Sequence, residues 1–544
     1  MQRDVKCLWE NKFDVCIIGG GIYGACAAWD AALRGLSVAL VEKADFASAT
    51  SFNSQNTIHG GFRYLQNMDI PRVRSAVKER RAWMTMAPHL VHPLPFLIPL
   101  YDKLSKPKSL FYIAFRMYDL LSPDRNKTAD PQKHIPPGRI VSIQKCHELF
   151  NEIEDDRDLT GGALFYDALI HNPGRLCLGF LQSAAEKGAV IANYAEARGF
   201  RHGSGKITGL EVRDLLGEID FIVKAKVFLN LSGPWVNRTL SALKGYAANP
   251  VELVKVMYLV ARRPLVRSAI GLLGDKGKYY FMLPWHGHSL IGIAELPFEQ
   301  SDLDKVTISE EAVESFISDI NRLRPSINLR RKDVVAVRKG LLPANEIKGT
   351  LKDSQLATKA KVIDHKKDGL DNLISVVGIK FTMARSIAQH IVDLAFLKLG
   401  HTPKPCSTQF TRLHGGQIEY FDKFLSDAIN RHHHFLPPYN IKHLVLNYGS
   451  EYEEILKYLN PDSAYQGQAV DDASVLRAET MYAIHEEMAQ KLSDIVFRRT
   501  DLCLTGIPGE GSLSVCADIA ANEMKWSQSR KKEEIEYVKA AFSW

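Results

Sequence analysis

The sequence predicts an α/β protein in which a parallel-sheet nucleotide-binding domain is interrupted by an antiparallel sheet and followed by an all-α domain. Three observations predict it. An apolar strand, a glycine-rich turn, a helix and a second strand closed by an acid follow one another within about 30 residues near the N-terminus. From 251 to 343 the pattern changes to closely spaced apolar runs around one helical segment. Beyond residue 400 the chain reads almost entirely as helix.

The elements follow in order. Residues 13–18 (FDVCII) read as a buried strand, Ala25 to Arg34 as a helix stopped by Gly35, and 37–41 as a second strand ending at Glu42. Residues 43–65 are small and polar and read as an extended loop with little core. An amphipathic helix is predicted over 72–87, and 122–139 reads as surface loop. Pro173 and Gly188 bracket a helix, with strands near 189–194, 207–213, 219–223 and 226–231. Strands near 254–261, 278–283 and 289–294 surround a helix at 309–323, and 373–378 is a strand running into a helix at about 382–399. Helices are expected at 417–431, 440–447, 450–459, 474–500 and 511–540. The expected domains are a discontinuous nucleotide-binding unit (about 12–245 and 344–400), a substrate-binding sheet (about 246–343) and a helical unit (401–544).

Composition narrows the function classes. With 46% hydrophobic and 24% charged residues, the chain is neither disordered nor fibrous. A net charge of +7 over 544 residues suits phosphorylated ligands or an anionic membrane face, and no nucleic-acid module stands out. Eight cysteines without a CxxC pair suggest reduced thiols in a cytoplasmic protein, with neither a disulfide frame nor a metal centre. The run His432-His433-His434 reads as a solvated face, since adjacent residues cannot all reach one ion. No apolar stretch is long enough to span a membrane, and residues 1–12 lack a secretory signal's apolar core.

The glycine turn carries chemistry. In Gly19-x-Gly21-x-x-Gly24, the first glycine permits the tight turn, the second admits a pyrophosphate to the backbone, and the third lets helix and strand pack. The helix start at Ile22-Tyr23 offers free N–H groups to phosphate, and Glu42 would accept ribose hydroxyls. A second strand-to-helix turn, Gly378-Ile379-Lys380-Phe381-Thr382, supplies another helix N-terminus. A flavin needs such a positive end where reduction leaves negative charge, whereas a nicotinamide does not, so FAD is the expected cofactor.

These residues resemble a known family. The segments ATSFNSQNTIHGGFRYL (49–65), KERRAWMTMAPHL (78–90), NLSGPWVN (230–237), LPWHGHSLIG (283–292), GIKFTMAR (378–385) and FRRTD (497–501) are similar, in order and spacing, to FAD-dependent glycerol-3-phosphate dehydrogenases. The wider clan includes D-amino-acid and sarcosine oxidases. The resemblance implies a Rossmann-like flavoprotein that oxidises a secondary alcohol and passes electrons to a quinone or another acceptor. It implies peripheral contact with the inner face of a membrane, and homo-oligomers are compatible with it. It extends the cofactor set to Lys43, Thr50, Ser51, Asn56, His59, Gly60, Gly61, Ser232, Gly233 and Trp235.

The candidate catalytic groups are His59, Arg63, Lys380 and Tyr258, with Tyr64 beside them. His59 suits a base for the hydroxyl proton, Arg63 an anion anchor, and Lys380 the reactive edge of the flavin. Several positions depart from the family pattern. Tyr258 stands where the family has His, Leu342 where it has a phosphate-binding Arg, Glu295 where it has Asp, and Asn56 where it has Lys. The expected substrate is therefore sn-glycerol 3-phosphate or a different polyol or sugar-like alcohol, with Arg338 or Lys339 as replacement cations. An amine or amino-acid oxidase and a non-catalytic FAD-binding protein are the alternatives. Basic and aromatic residues mix over 103–118 (KLSKPKSLFYIAFRMY), a pattern that suits a membrane-surface patch.

Overall fold

The computed structural model describes residues 1–101, 108–127, 130–150, 158–203, 205–243, 251–274, 279–298, 303–345, 356–459 and 475–542. Residues 103–107 of the basic and aromatic run fall outside them. Two sheets organise the first 400 residues. The strands are β1 (Lys12–Ile18), β2 (Val38–Val41), β3 (Thr57–Ile58), β4 (Val91–Tyr101), β5 (Arg139–Val141), β6 (Leu159–Ile170), β7 (Val190–Ala192), β8 (Ala195–Gly203) and β9 (Lys206–Asp214). They continue with β10 (Asp220–Asn230), β11 (Leu253–Ala261), β12 (Ala269–Leu273), β13 (Tyr279–Trp285), β14 (His288–Leu296), β15 (Val334–Pro343), β16 (Lys361–Asp364) and β17 (Leu373–Val377).

The first sheet runs β16-β17-β10-β1-β2-β7, parallel from β17 to β7, with the β8–β9 hairpin joined to β10. Its strands β1 and β2 are buried over most of their length, which explains the unbroken apolar runs. The helices Ile22–Leu33, Pro173–Glu186 and Ala384–Lys398 cover one face through Trp29, Phe180 and Ile391. Residues 219–223 and 226–231, read as two strands, form the single strand β10.

The second sheet runs β15-β11-β14-β13-β12-β4-β6-β3, with β5 on β6. It is antiparallel except where β12 lies parallel to β4. It is not confined to 246–343, because β3 to β6 come from residues 57–170. The missed strand β4 (VHPLPFLIPLY) holds three prolines, which argue against a central strand. All three occupy alternate positions, so the missing N–H groups share one edge, and the other edge pairs with β6 along its whole length.

Two loop expectations also change. Segment 43–65 contributes Asp45, Phe46, Asn56 and Ile58 to the interior. Within 122–139, Asp130, Lys133 and Ile135 are buried, and the Lys133 ammonium donates to the Val91 carbonyl at 2.9 Å. The C-terminal unit is helical, but its long segments are broken. Helix Arg477–His485 gives way to a π-turn at Ile495–Arg499, and Glu510–Glu523 is separated from Gln528–Ala540 at the left-handed Lys525.

Candidate functional site

A cavity of about 1760 Å³ opens between the two sheets. The end of β1, the turn after it, and the end of β2 form one wall. Gly19 adopts φ +108, and a Cβ there would sit 2.6 Å from the Leu231 carbonyl oxygen. A Cβ on Gly24 would come within 1.9 Å of the Gly19 carbonyl, so Gly24 serves helix–strand packing and does not line the cavity. The Ile22 N–H donates to Ser51 Oγ at 3.0 Å, which anchors the 47–54 loop over the helix start. Glu42 accepts the Gly20 N–H at 2.7 Å and the Ala44 N–H at 2.9 Å. Burial pushes its carboxyl up, against the pull of those two donors.

Lys43, Ser232, Gly233 and Trp235 border the same cavity. The Lys43 ammonium lies 3.9 Å from the Trp235 ring centroid, and Asp304 binds Lys43, Trp235 Nε1 and Arg238. Burial raises the Asp304 carboxyl, but these donors more than offset it and bring it to about 2. At the far side, Tyr23 ties down the 378–382 turn by donating to the Lys380 carbonyl at 3.0 Å and accepting the Ile379 N–H at 3.1 Å. Gly378 has no room for a Cβ, which would meet the Tyr23 ring at 2.4 Å. Thr382 Oγ1 accepts the His59 N–H at 3.1 Å, joining this turn to the 57–61 segment.

The polar groups gather where the turn meets the second sheet. His59 Nδ1 lies 3.2 Å from Asp167 Oδ2. A carboxylate oxygen can only accept here, so Nδ1 carries a hydrogen, and in the neutral ring Nε2 is the nitrogen with the lone pair. Asp167 is itself held by the Gly60 N–H at 2.6 Å and Arg80 Nη1 at 3.0 Å. Lys380 Nζ donates to the Tyr64 hydroxyl at 2.6 Å, and Arg63 lies 5.6 Å from the Tyr279 ring centroid. Lys339, Leu342, Tyr258 and Glu295 complete this wall. Burial pulls the Lys339 ammonium below its usual range and raises the Tyr258 hydroxyl.

Most predicted site residues thus meet in one cavity, including Thr50, Asn56, Gly61 and Phe381. Gly60 is a correction: it lies behind the wall, where a Cβ would strike Arg80 at 2.2 Å, and its carbonyl accepts the Tyr118 hydroxyl. Arg338, a candidate replacement cation, also points away. It is packed against Phe52 and Trp285, donates to the Asn56 side chain at 3.3 Å, and burial lowers its guanidinium to about 9. Asp167 was not legible in advance, because one acid on an undetected strand carries no local signal. His171, His286 and Asp501, brought together from three distant segments, have ligand atoms within 4.8 Å of one another outside this cavity, although the sequence predicts no metal centre.

Residues 14–394 match the family model of FAD-dependent oxidoreductases, and residues 406–531 match the C-terminal domain of alpha-glycerophosphate oxidase. The chain belongs to the FAD-dependent oxidoreductase family. It is 31% identical to a glycerol-3-phosphate dehydrogenase of Synechocystis sp., over 98% of this chain and 97% of that one. It is 30% identical to the mitochondrial glycerol-3-phosphate dehydrogenase of Mus musculus, over 96% of this chain and 72% of the relative. The crystal structure of glycerol-3-phosphate dehydrogenase from Bacillus halodurans complexed with FAD superposes with a TM-score of 0.78 at 24% identity, covering 99% and 96% of the two chains. This FAD-dependent oxidoreductase is therefore a glycerol-3-phosphate dehydrogenase homologue in both sequence and fold.

The residues present fit FAD. A Cβ on Gly21 would project at the cavity wall beside Ser51 Oγ, 3.0 Å away, where a phosphate must approach backbone. Asn56 Nδ2 and Gln55 Nε2 are buried donors without a protein partner, on residues that line the cavity. Glu42, the helix start at Ile22 and the turn at 378–382 would hold the ribose, the pyrophosphate and the flavin edge respectively.

Proposed function

We propose that the enzyme oxidises the secondary alcohol of sn-glycerol 3-phosphate, or of a closely similar polyol phosphate, to the ketone. The observation that carries this reading is that Arg63, Lys339 and Lys380 line the same cavity as the His59–Asp167 pair. Three cations there suit a phosphate monoester, and a base held in one tautomer suits a hydroxyl proton. When bound, FAD supplies the hydride acceptor. The chain supplies the rest: Arg63, Lys339 and Lys380 bind the phosphate, Nε2 of His59 takes the hydroxyl proton, and Asp167 holds the ring by Nδ1 so that Nε2 is the nitrogen presented to the substrate. Lys339 takes up charge that Leu342 cannot, which accommodates the departure at position 342. The test is anaerobic mixing with sn-glycerol 3-phosphate, glycerol and simple amino acids, read by loss of the yellow absorbance. Bleaching by the phosphate ester alone supports the reading. Bleaching by glycerol or an amino acid, or by nothing, overturns it.

We further infer that the electrons pass to a quinone while the enzyme lies on a membrane surface at its cytoplasmic face. No helix among the described residues is long and apolar enough to cross a membrane. Helix Lys108–Leu121 buries Phe111, Phe115 and Tyr118 and turns Leu110, Tyr112, Ile113 and Leu120 outward, Leu120 being 81% exposed, with Arg116 beside them. That outward face suits an interfacial helix. Co-sedimentation with vesicles containing anionic lipid, lost in Ile113→Asp/Leu120→Asp, is the expected result. Equal sedimentation of both proteins would refute it.

A further inference from the structure

The geometry points to a second site, a divalent transition-metal clasp formed by His171, His286 and Asp501, which joins the second sheet to the C-terminal helical unit. His171 follows β6, His286 sits in the β13–β14 turn with φ 48, and Asp501 follows the π-turn at Ile495–Arg499. Three segments distant in sequence thus present two imidazoles and a carboxylate to one point. His171 Nε2 lies 3.5 Å from Asp501 Oδ2, and His286 Nδ1 lies 3.8 Å from the same oxygen. Metal–ligand bonds of about 2.0–2.2 Å place tetrahedral ligand atoms about 3.3–3.6 Å apart. The two spacings to Asp501 Oδ2 lie at or a few tenths of an ångström beyond that range, and all the ligand atoms lie within 4.8 Å of one another.

The hydrogen bond made by His286 leaves its other ring nitrogen facing the group. His286 Nε2 lies 3.0 Å from the His171 carbonyl oxygen, which can only accept, so that nitrogen carries the hydrogen. In the neutral ring, Nδ1 is then a bare lone pair, and it faces a carboxylate oxygen. Two acceptors set against each other in a half-buried place repel unless a cation lies between them. His171 Nε2 is buried, and the polar atom it faces is Asp501 Oδ2 at 3.5 Å. The supporting groups have the form of a metal site's outer ring. The His171 carbonyl also accepts Trp285 Nε1 at 2.9 Å, fixing both histidine-bearing segments. Asp501 is oriented by Asn172 Nδ2 on Oδ1 and Asn447 Nδ2 on Oδ2, each at 2.8 Å. His443 flanks the group, its Nδ1 3.5 Å from Asp501 Oδ2 and its Nε2 2.9 Å from Glu479. Two nitrogens and one oxygen select a first-row divalent ion of the zinc class over calcium or magnesium, which take oxygen donors.

The test uses the intact flavoprotein with zinc alone as the probe. The protein is stripped with chelator, incubated with zinc sulfate and dialysed, and its zinc and flavin contents are measured. The wild type is expected to retain about one zinc per chain and to melt several degrees higher than the stripped form. His286→Gln and His171→Gln are expected to retain less than about a fifth of that zinc and to lose the shift, with flavin content unchanged. His433→Ala, in the exposed histidine run, is expected to behave as the wild type. Because a variant can fail to fold, the stripped wild type is also titrated with cobalt(II), whose visible ligand-field bands report nitrogen and oxygen ligation directly. A wild type that takes up no zinc above the buffer blank overturns the site. So do absent cobalt bands, or His286→Gln retaining the full complement.

Discussion

Asp167 stands 3.2 Å from Nδ1 of His59, across 108 positions of sequence, and thereby fixes which imidazole nitrogen the cavity sees. The acid comes from the C-terminal half of β6 and the histidine directly follows β3, strands paired through Thr57 and Ile58. Sheet register therefore sets the orientation of the base.

Asp167→Asn preserves shape but permits the amide to donate, which favours the wrong tautomer. A positioned base contributes typically 10²–10⁴-fold, so kcat in the variant is expected to fall by about 10²-fold with KM and bound flavin little changed. Steady-state kinetics beside an absorbance spectrum checks this. A loss confined to KM would place Asp167 in substrate binding.

The nucleotide cradle makes a second prediction. Gly21 has an extended backbone (φ −77, ψ −176) that any residue tolerates, so Gly21→Val is compatible with the fold. Its side chain, however, enters the space where the pyrophosphate approaches. Flavin content is expected to fall below about a tenth while far-ultraviolet circular dichroism stays as in the wild type. Full flavin in a folded variant would move the pyrophosphate elsewhere.

These two cases show what a sequence discloses. The cradle is local: a strand, three glycines, a helix and an acid within one unit, each required by the backbone geometry of that unit. Gly19, Gly21 and Glu42 were legible for that reason, and Thr50, Ser51 and Asn56 through the family resemblance. The His59–Asp167 pair depends on strand pairing, and β6 went undetected because its small and mixed residues (LTGGALFYDALI) show no clean alternation. Strand β4 was hidden by its prolines. Gly60 was misplaced because a glycine that admits a ligand and a glycine that admits a buried arginine look alike in sequence. Arg338 and Lys339 are alternatives in the sequence, and only the fold shows Lys339 at the cavity and Arg338 turned away, held between Phe52 and Trp285.

Lys339 makes the third prediction. If it contacts the phosphate, Lys339→Met removes one charge-assisted contact worth about 1.5–3 kcal/mol, which corresponds to a rise in KM of roughly 10- to 150-fold. The kcat is expected to change far less, since the proposed contact is to the phosphate and not to the reacting hydroxyl. Conversely, Leu342→Arg adds a further cation to the cavity lining and is expected to lower KM for phosphorylated substrates. Unchanged KM in Lys339→Met would leave the phosphate to Arg63 and Lys380.

The last prediction concerns the joint between the cofactor-binding and C-terminal units. Asp45, in the loop after β2, binds Arg499 Nη2 at 2.8 Å, as well as Arg499 Nη1 and Arg498 Nε, all fully or nearly buried. Asn193 donates to it at 3.1 Å, and Arg498 also binds Asp494 at 2.8 Å. Burial alone would raise the Asp45 carboxyl, but the two guanidiniums overcome that and hold it at about 2. In the unfolded chain the same group titrates near 4. A folded value below the unfolded one means that the unfolded chain binds the extra proton first. The stabilisation is therefore present above about pH 4 and is lost as the pH falls towards about 2. Asp45→Asn leaves the buried Arg499 guanidinium without a carboxylate and Arg498 with Asp494 alone, and removing one partner of a buried ion pair typically costs about 3–5 kcal/mol. Thermal melts from pH 7 down to 2.5 are expected to show the variant melting lower at neutral pH and losing less on acidification than the wild type. Parallel curves for the two proteins would mean that the arginines find other counter-charges and that Asp45 does not hold the units together.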